Sequence, residues 1–168
     1  MTLWELNRIT PGAFSTALGG IFEHSPWVAE RASTARPFGS IAALHAAMLD
    51  VVDAAPEAKR LALIRAHPEL AGKAAIRGQL TADSTMEQSG AGLSQCTAEE
   101  LARLTALNAA YNAKFDFPFI LAVKGYDRAG ILREFERRIQ RDRDTEFDEA
   151  LAQIGKITRF RLDALLSG

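Results

Sequence analysis

Three places along the 168-residue chain carry side chains whose type and setting suit chemistry on a small molecule. Arg161 falls within the apolar stripe Phe147, Leu151, Ile154, Thr158 and Leu165 of the last predicted helix, so its guanidinium is aimed toward a core. Two readings stand. The stem covers apolar surface while the charge snorkels to water, or a desolvated fork of five donors receives an anionic or carbonyl-rich ligand. His67 precedes Pro68, which pushes it out of the α region and sets it at the C-terminal end of a helix, where an imidazolium is favoured. That suits a proton donor, and it equally suits a histidine that caps terminal carbonyls. In the third place, Ser84-x-x-Glu87 has the spacing of a capping box, in which Glu87 bonds back to the backbone and does no chemistry. Gly90 and Gly92, however, interrupt the pattern within a turn and permit close backbone approach, which leaves Glu87 and the free amides of a helix start open to a ligand.

The elements that position these groups read as helix after helix. Thr10-Pro11 opens one helix, Pro26 and Pro37 bracket a second, and Ser40 opens a third that ends near Asp53. Pro56 starts a fourth, which Pro68 stops. Thr97-x-x-Glu100 is a capping box before Leu101, Leu104, Leu107, Tyr111 and Phe115. The run Phe117-Pro118-Phe119-Ile120-Leu121-Ala122-Val123 is a buried strand or an extended buried loop. Two helices close the chain, one with Ile131, Leu132, Phe135 and Ile139 and one from about Thr145 to Leu165. No alternating strand pattern is present, so the fold class is all-α, in a single multi-helix domain over residues 1–168.

Composition narrows the function classes. Lys plus Arg number 20 and Asp plus Glu 21, a net charge of −1 that gives nucleic acid and anionic membrane no electrostatic support. The arginines Arg128, Arg133, Arg137, Arg138, Arg141 and Arg143 are outnumbered by neighbouring acids, with Glu134 and Arg138 at i,i+4, and predict a solvated, salt-bridged helix. Cys96 is the one cysteine, which excludes an internal disulfide and a cysteine-based zinc site, and nothing around it activates a thiol. The histidines lie more than twenty residues apart, so no metal site is expected. No stretch approaches the roughly 18 uninterrupted apolar residues of a membrane span. Met1 to Arg8 lacks the features of a signal peptide and Leu166-Ser167-Gly168 is no peroxisomal address, so a cytoplasmic location is expected.

Taken together, Ala66-His67-Pro68-Glu69-Leu70-Ala71-Gly72-Lys73, Ser84-Thr85-Met86-Glu87-Gln88, Asn108-x-x-Tyr111-x-x-Lys114-Phe115-x-Phe117-Pro118-Phe119-Ile120 and Arg161-Leu162 resemble the 2-oxo-4-hydroxy-4-carboxy-5-ureidoimidazoline (OHCU) decarboxylases. The resemblance runs from Asn7 to Leu165. It implies an all-helical, cofactor-free lyase of urate breakdown that converts OHCU to (S)-allantoin, with a homodimer as the favoured assembly. It further implies His67 as proton donor with Glu87 beside it, and a substrate pocket of Pro68, Ser84, Thr85, Met86, Glu87, Gln88, Phe119, Ile120, Leu121, Ala122, Val123 and Arg161. Two alternatives remain at this level: a hydrolase of a related ureido or hydantoin compound, and a non-enzymatic helical adaptor in which Arg161 snorkels, Glu87 caps and His67 terminates a helix.

Overall fold

A computed structural model describes residues 1–72 and 78–166. Among them every regular element is helical, which bears out the all-α class. The nine α-helices among the described residues are α1 (Leu3–Leu6), α2 (Pro11–Leu18), α3 (Trp27–Ala32), α4 (Ile41–Asp53), α5 (Glu57–Arg65), α6 (Ala82–Gly90), α7 (Ala98–Phe115), α8 (Arg128–Arg138) and α9 (Arg143–Leu166). Lys73, within the first quoted motif, and Ser167-Gly168 lie outside the described residues. No described helix is long and apolar enough to cross a membrane.

Most helices begin where a short polar side chain can take up an orphan amide. Thr2, Thr10, Ser40, Thr81, Thr97 and Asp127 each accept from the backbone N–H three residues on. The expected capping box of Thr97 and Glu100 is present, and Glu100 Oε1 accepts from the Thr97 amide at 3.1 Å. The last helix starts at Arg143, two residues before the expected Thr145, because Asp142 accepts from the Thr145 amide at 2.8 Å.

Backbone contacts divide the chain into two compact units. The first comprises Met1–Ala66 and the chain from Ile154. There α3 packs against α2 and α4, and Leu6, Phe14, Leu18, Phe22, Val28, Leu44, Met48 and Ile64 are buried. Asn7 and Phe38 exchange two hydrogen bonds of 2.8 Å, and the Arg36 guanidinium lies over Phe14 while donating to the Ile9 carbonyl. His45 bonds Thr158 Oγ1 at 3.1 Å, and burial holds its imidazole below the ordinary pKa.

The second unit is His67–Gln153. Its core is aromatic: Tyr111 meets Phe117, Phe119 and Phe135 edge to face, and Phe119 stacks on Phe135 with ring centroids 3.9 Å apart. Such pairs add about 0.5–1.5 kcal/mol each beyond the area they bury. Under this cluster lies a charged group that corrects the expectation of a solvated arginine segment. Arg138 and Glu146 are both fully buried and paired through Nε and Oε1 at 2.9 Å. Tyr111 donates to the same Oε1 at 2.6 Å, and Arg141 approaches Oε2 at 3.4 Å. Burial, followed by the hydrogen bond to Glu146, drives the Tyr111 pKa upward and keeps the donor proton in place. Glu134 pairs with Arg137 instead of Arg138. Arg138 stands three residues after Phe135 and seven after Ile131, on the apolar stripe of α8, whereas its neighbours face water.

Because charges buried together are strongly destabilising once one is left alone, Glu146→Leu is expected to cost about 3–5 kcal/mol in stability. Urea unfolding monitored by circular dichroism checks this, and a loss below about 1 kcal/mol would show that Arg138 finds water or another acceptor.

Candidate active site

In the second unit the predicted residues fall on three segments. The first is the loop that follows α5. Arg65 is the last residue of α5, Ala66 caps it, and His67 follows at 6% exposure. The next residues make a tight turn: Ala71 takes a left-handed conformation, φ 49°, and a Cβ on Gly72 would lie 2.6 Å from that of Glu69. A non-glycine residue in that region costs roughly 1–2 kcal/mol and persists only where surrounding bonds hold it. Three amide side chains do so here. Gln88 accepts from the Ala71 amide at 3.0 Å and donates to the Glu69 carbonyl at 3.3 Å. Asn108 donates to the Leu70 carbonyl at 2.9 Å, and Asn112 donates to the Glu69 carboxylate.

The second segment is α6, which corrects the capping-box reading of Ser84 and Glu87. The N-cap is Thr81, whose Oγ1 accepts from the Ser84 amide at 3.2 Å. Ser84 and Glu87 therefore sit inside the helix, where Glu87 cannot close a box across the helix start. Ser84, Glu87 and Gln88 follow the i, i+3, i+4 spacing of one face. Ser84 and Gln88 are buried and Glu87 is half-buried. Met86, on the opposite side, is 72% exposed, and Thr85 turns its hydroxyl back to the Thr81 carbonyl. A cavity of about 360 Å³ lies beside α6, lined by Ala71, Leu80, Thr85, Gln88, Cys96 and Leu101 among others. Burial raises the Cys96 pKa, which keeps the thiol protonated and unsuited to nucleophilic attack.

Residues 117–123 form the third segment. Asp116 ends α7 in a left-handed conformation, φ 61°, and the chain runs on with neither helix nor strand while every residue stays buried. A buried loop, not the strand, is therefore what the apolar run forms. Arg138 Nη1 donates to the Ile120 carbonyl at 2.5 Å, and Gln153 Oε1 accepts from the Ala122 amide at 3.0 Å.

Arg161 belongs to the first unit. It is 6% exposed, donates through Nη2 to Glu23 Oε1 at 3.0 Å and through Nη1 to the Ile21 carbonyl at 3.3 Å. Of its two readings, snorkelling fails: the guanidinium itself is buried and ion-paired. Leu162 and Leu166 share its burial, whereas Leu165, expected on the stripe, is 37% exposed. Sequence reasoning missed the supporting cast. Arg138 carried the same signal as Arg161, a charge on an apolar stripe, and was averaged into its exposed neighbours. Asn112 and Gln153 carried none, since an amide on a helix announces nothing about its partner.

Among the described residues, no group of three or more His, Cys, Asp or Glu is placed to hold a metal ion.

The OHCU decarboxylase family model matches residues 7–163. The 2-oxo-4-hydroxy-4-carboxy-5-ureidoimidazoline decarboxylase of Haloferax volcanii is 40% identical over 162 residues, covering 96% of this chain and 94% of that protein. A uric acid degradation bifunctional protein of Bacillus sp. is 41% identical over 98% of this chain, which spans only 32% of the bifunctional protein's length. The crystal structure of an (S)-allantoin synthase superposes with a TM-score of 0.80 at 30% identity, covering 99% of this chain and 54% of that one.

Thr81 starts α6, the helix that carries Ser84, Glu87 and Gln88. Thr81→Ala is expected to lower stability by about 1 kcal/mol through loss of the cap, read as a shift in the urea midpoint. An unchanged midpoint would return the N-cap role to Ser84.

Proposed function

The chain belongs to the OHCU decarboxylase family, and on that premise we propose that it decarboxylates OHCU to (S)-allantoin in urate breakdown, without a cofactor. The observation that carries the reading is the tie between two of its segments. Gln88, on the α6 face that also bears Ser84 and Glu87, is hydrogen-bonded at both ends of its amide to the loop that begins with buried His67.

The substrate explains why so little machinery suffices. Its departing carboxylate sits on a carbon next to a ring C=N, so the electron pair left when the C–C bond breaks flows into that bond and no pyridoxal, thiamine or metal sink is needed. The protein has to orient the molecule, place charge and deliver one proton to one face. His67 donates that proton, and Glu87 accepts a hydrogen bond from the substrate hydroxyl while favouring the charged imidazole. Pro68, Ser84 and Gln88 line the pocket, Met86 and the Thr85 hydroxyl are turned away from it, and backbone amides within residues 119–123 other than that of Ala122 hold the ureido and ring carbonyls. The family match runs through both compact units, which supports reading residues 1–168 as one functional domain. The proposal extends to a homodimer in the cytoplasm, with no nucleic-acid or membrane partner.

The test generates OHCU in situ from urate with urate oxidase and hydroxyisourate hydrolase and follows allantoin chirality by circular dichroism. Rapid growth of the (S) signal is expected with the wild type, and a fall of about 10²–10⁴ in rate for His67→Asn and Glu87→Ala. Full-rate (S)-allantoin from His67→Asn would remove the proton-donor role. Slow racemate from the wild type would overturn the function itself, and turnover of allantoin or a hydantoin without carbon dioxide release would point to hydrolysis.

A further inference from the structure

A buried backbone segment that joins neither helix nor sheet has to place its polar groups one by one. In residues 117–123 two of these groups are held by side chains: the Ile120 carbonyl goes to Arg138 and the Ala122 amide to Gln153. The Val123 carbonyl accepts from the Tyr126 amide in the turn that follows. Among the described residues, the amides of Phe117, Phe119, Ile120, Leu121 and Val123 donate no hydrogen bond, although all five residues are buried.

We propose that Arg138 and Gln153 are positioning residues: by engaging the Ile120 carbonyl and the Ala122 amide they fix the segment and so present its unpaired amides, those of Leu121 and Val123 beside the Ala122 anchor, to the ligand. This rests on the function proposed above, and it divides labour within the segment, since Ala122 serves the scaffold and its two neighbours serve the substrate. Arg138 is held for the task by Glu146, by Tyr111 through the shared Oε1, and by its own guanidinium lying 4.4 Å over the Phe119 ring. Gln153, 5% exposed, supplies an oxygen with no charge, so the segment is fixed at that point without a second buried ion. Donors fixed before the ligand arrives bind it in the ground state and the transition state alike, so their loss raises KM more than it lowers kcat.

Gln153→Met keeps the bulk and removes the acceptor, and Gln153→Glu restores an acceptor oxygen. In the OHCU assay Gln153→Met is expected to raise KM about tenfold with kcat within about threefold of wild type, and Gln153→Glu to recover most of that loss. Turnover by a folded Gln153→Met with KM unchanged would overturn the proposal while leaving the function intact. Absence of turnover by the wild type would remove the function and the proposal together. Hydrogen exchange on the wild type gives a second readout that needs no variant to fold. The Ala122 amide is expected to be protected without ligand, and the Leu121 and Val123 amides to gain protection only when (S)-allantoin is added. Equal protection of all three before addition, or a gain at Ala122 alone, would overturn the assignment.

Discussion

The second compact unit is organised by a carboxylate that serves two donors through one oxygen. Glu146 Oε1 takes the Tyr111 hydroxyl and the Arg138 Nε together, and Arg138 then reaches on to the Ile120 carbonyl. Placing a guanidinium and a carboxylate where neither meets water carries a desolvation cost that an apolar pair of the same size would avoid. What an apolar pair lacks is direction. A stack of rings such as Phe119 on Phe135 packs almost as well after a small slide, whereas a fork with its hydrogen bonds aligned does not. The aromatic core supplies cohesion, and the polar thread through it supplies the register of the segment it touches.

Much of the scaffold was legible because it follows from local chemistry. Thr10-Pro11, Ser40 and Thr97-x-x-Glu100 start helices in the structure as their side-chain geometry demands. Ser84-x-x-Glu87 has the same pattern and does not, because Thr81, three residues earlier, already caps the helix by accepting from the Ser84 amide. Where two candidates compete for one helix start, composition alone does not choose, and the outcome fixes whether Glu87 bonds its own backbone or stands on a helix face.

The polar interior was harder to read. A count of signs across residues 127–149 described a surface, and most of that segment is a surface. Arg138 escaped it because burial is decided residue by residue along the stripe, a property that a sum over the segment erases. Arg161 was noticed for the same geometry, yet its partner Glu23 lies 138 positions away in sequence, beyond the reach of any spacing rule. Asn108, Asn112 and Gln153 show the limit most clearly: their bonds go to backbone atoms or a side chain on another segment, which become neighbours only in the folded chain.

The turn that carries His67 is held mainly by groups that have no proton to lose. Gln88 and Asn108 engage the backbone at Glu69, Leu70 and Ala71 with neutral amides, and neither changes its hydrogen bonds when the surrounding pH changes. For the proton transfer proposed of His67, the geometry of the turn is thereby insulated from the charge on the imidazole. A loop clamped by carboxylates and lysines would shift each time the local charge changed, and a residue meant to release a proton and recover it would lose its aim at that moment. The amide clasp gives the histidine a footing indifferent to its own charge state.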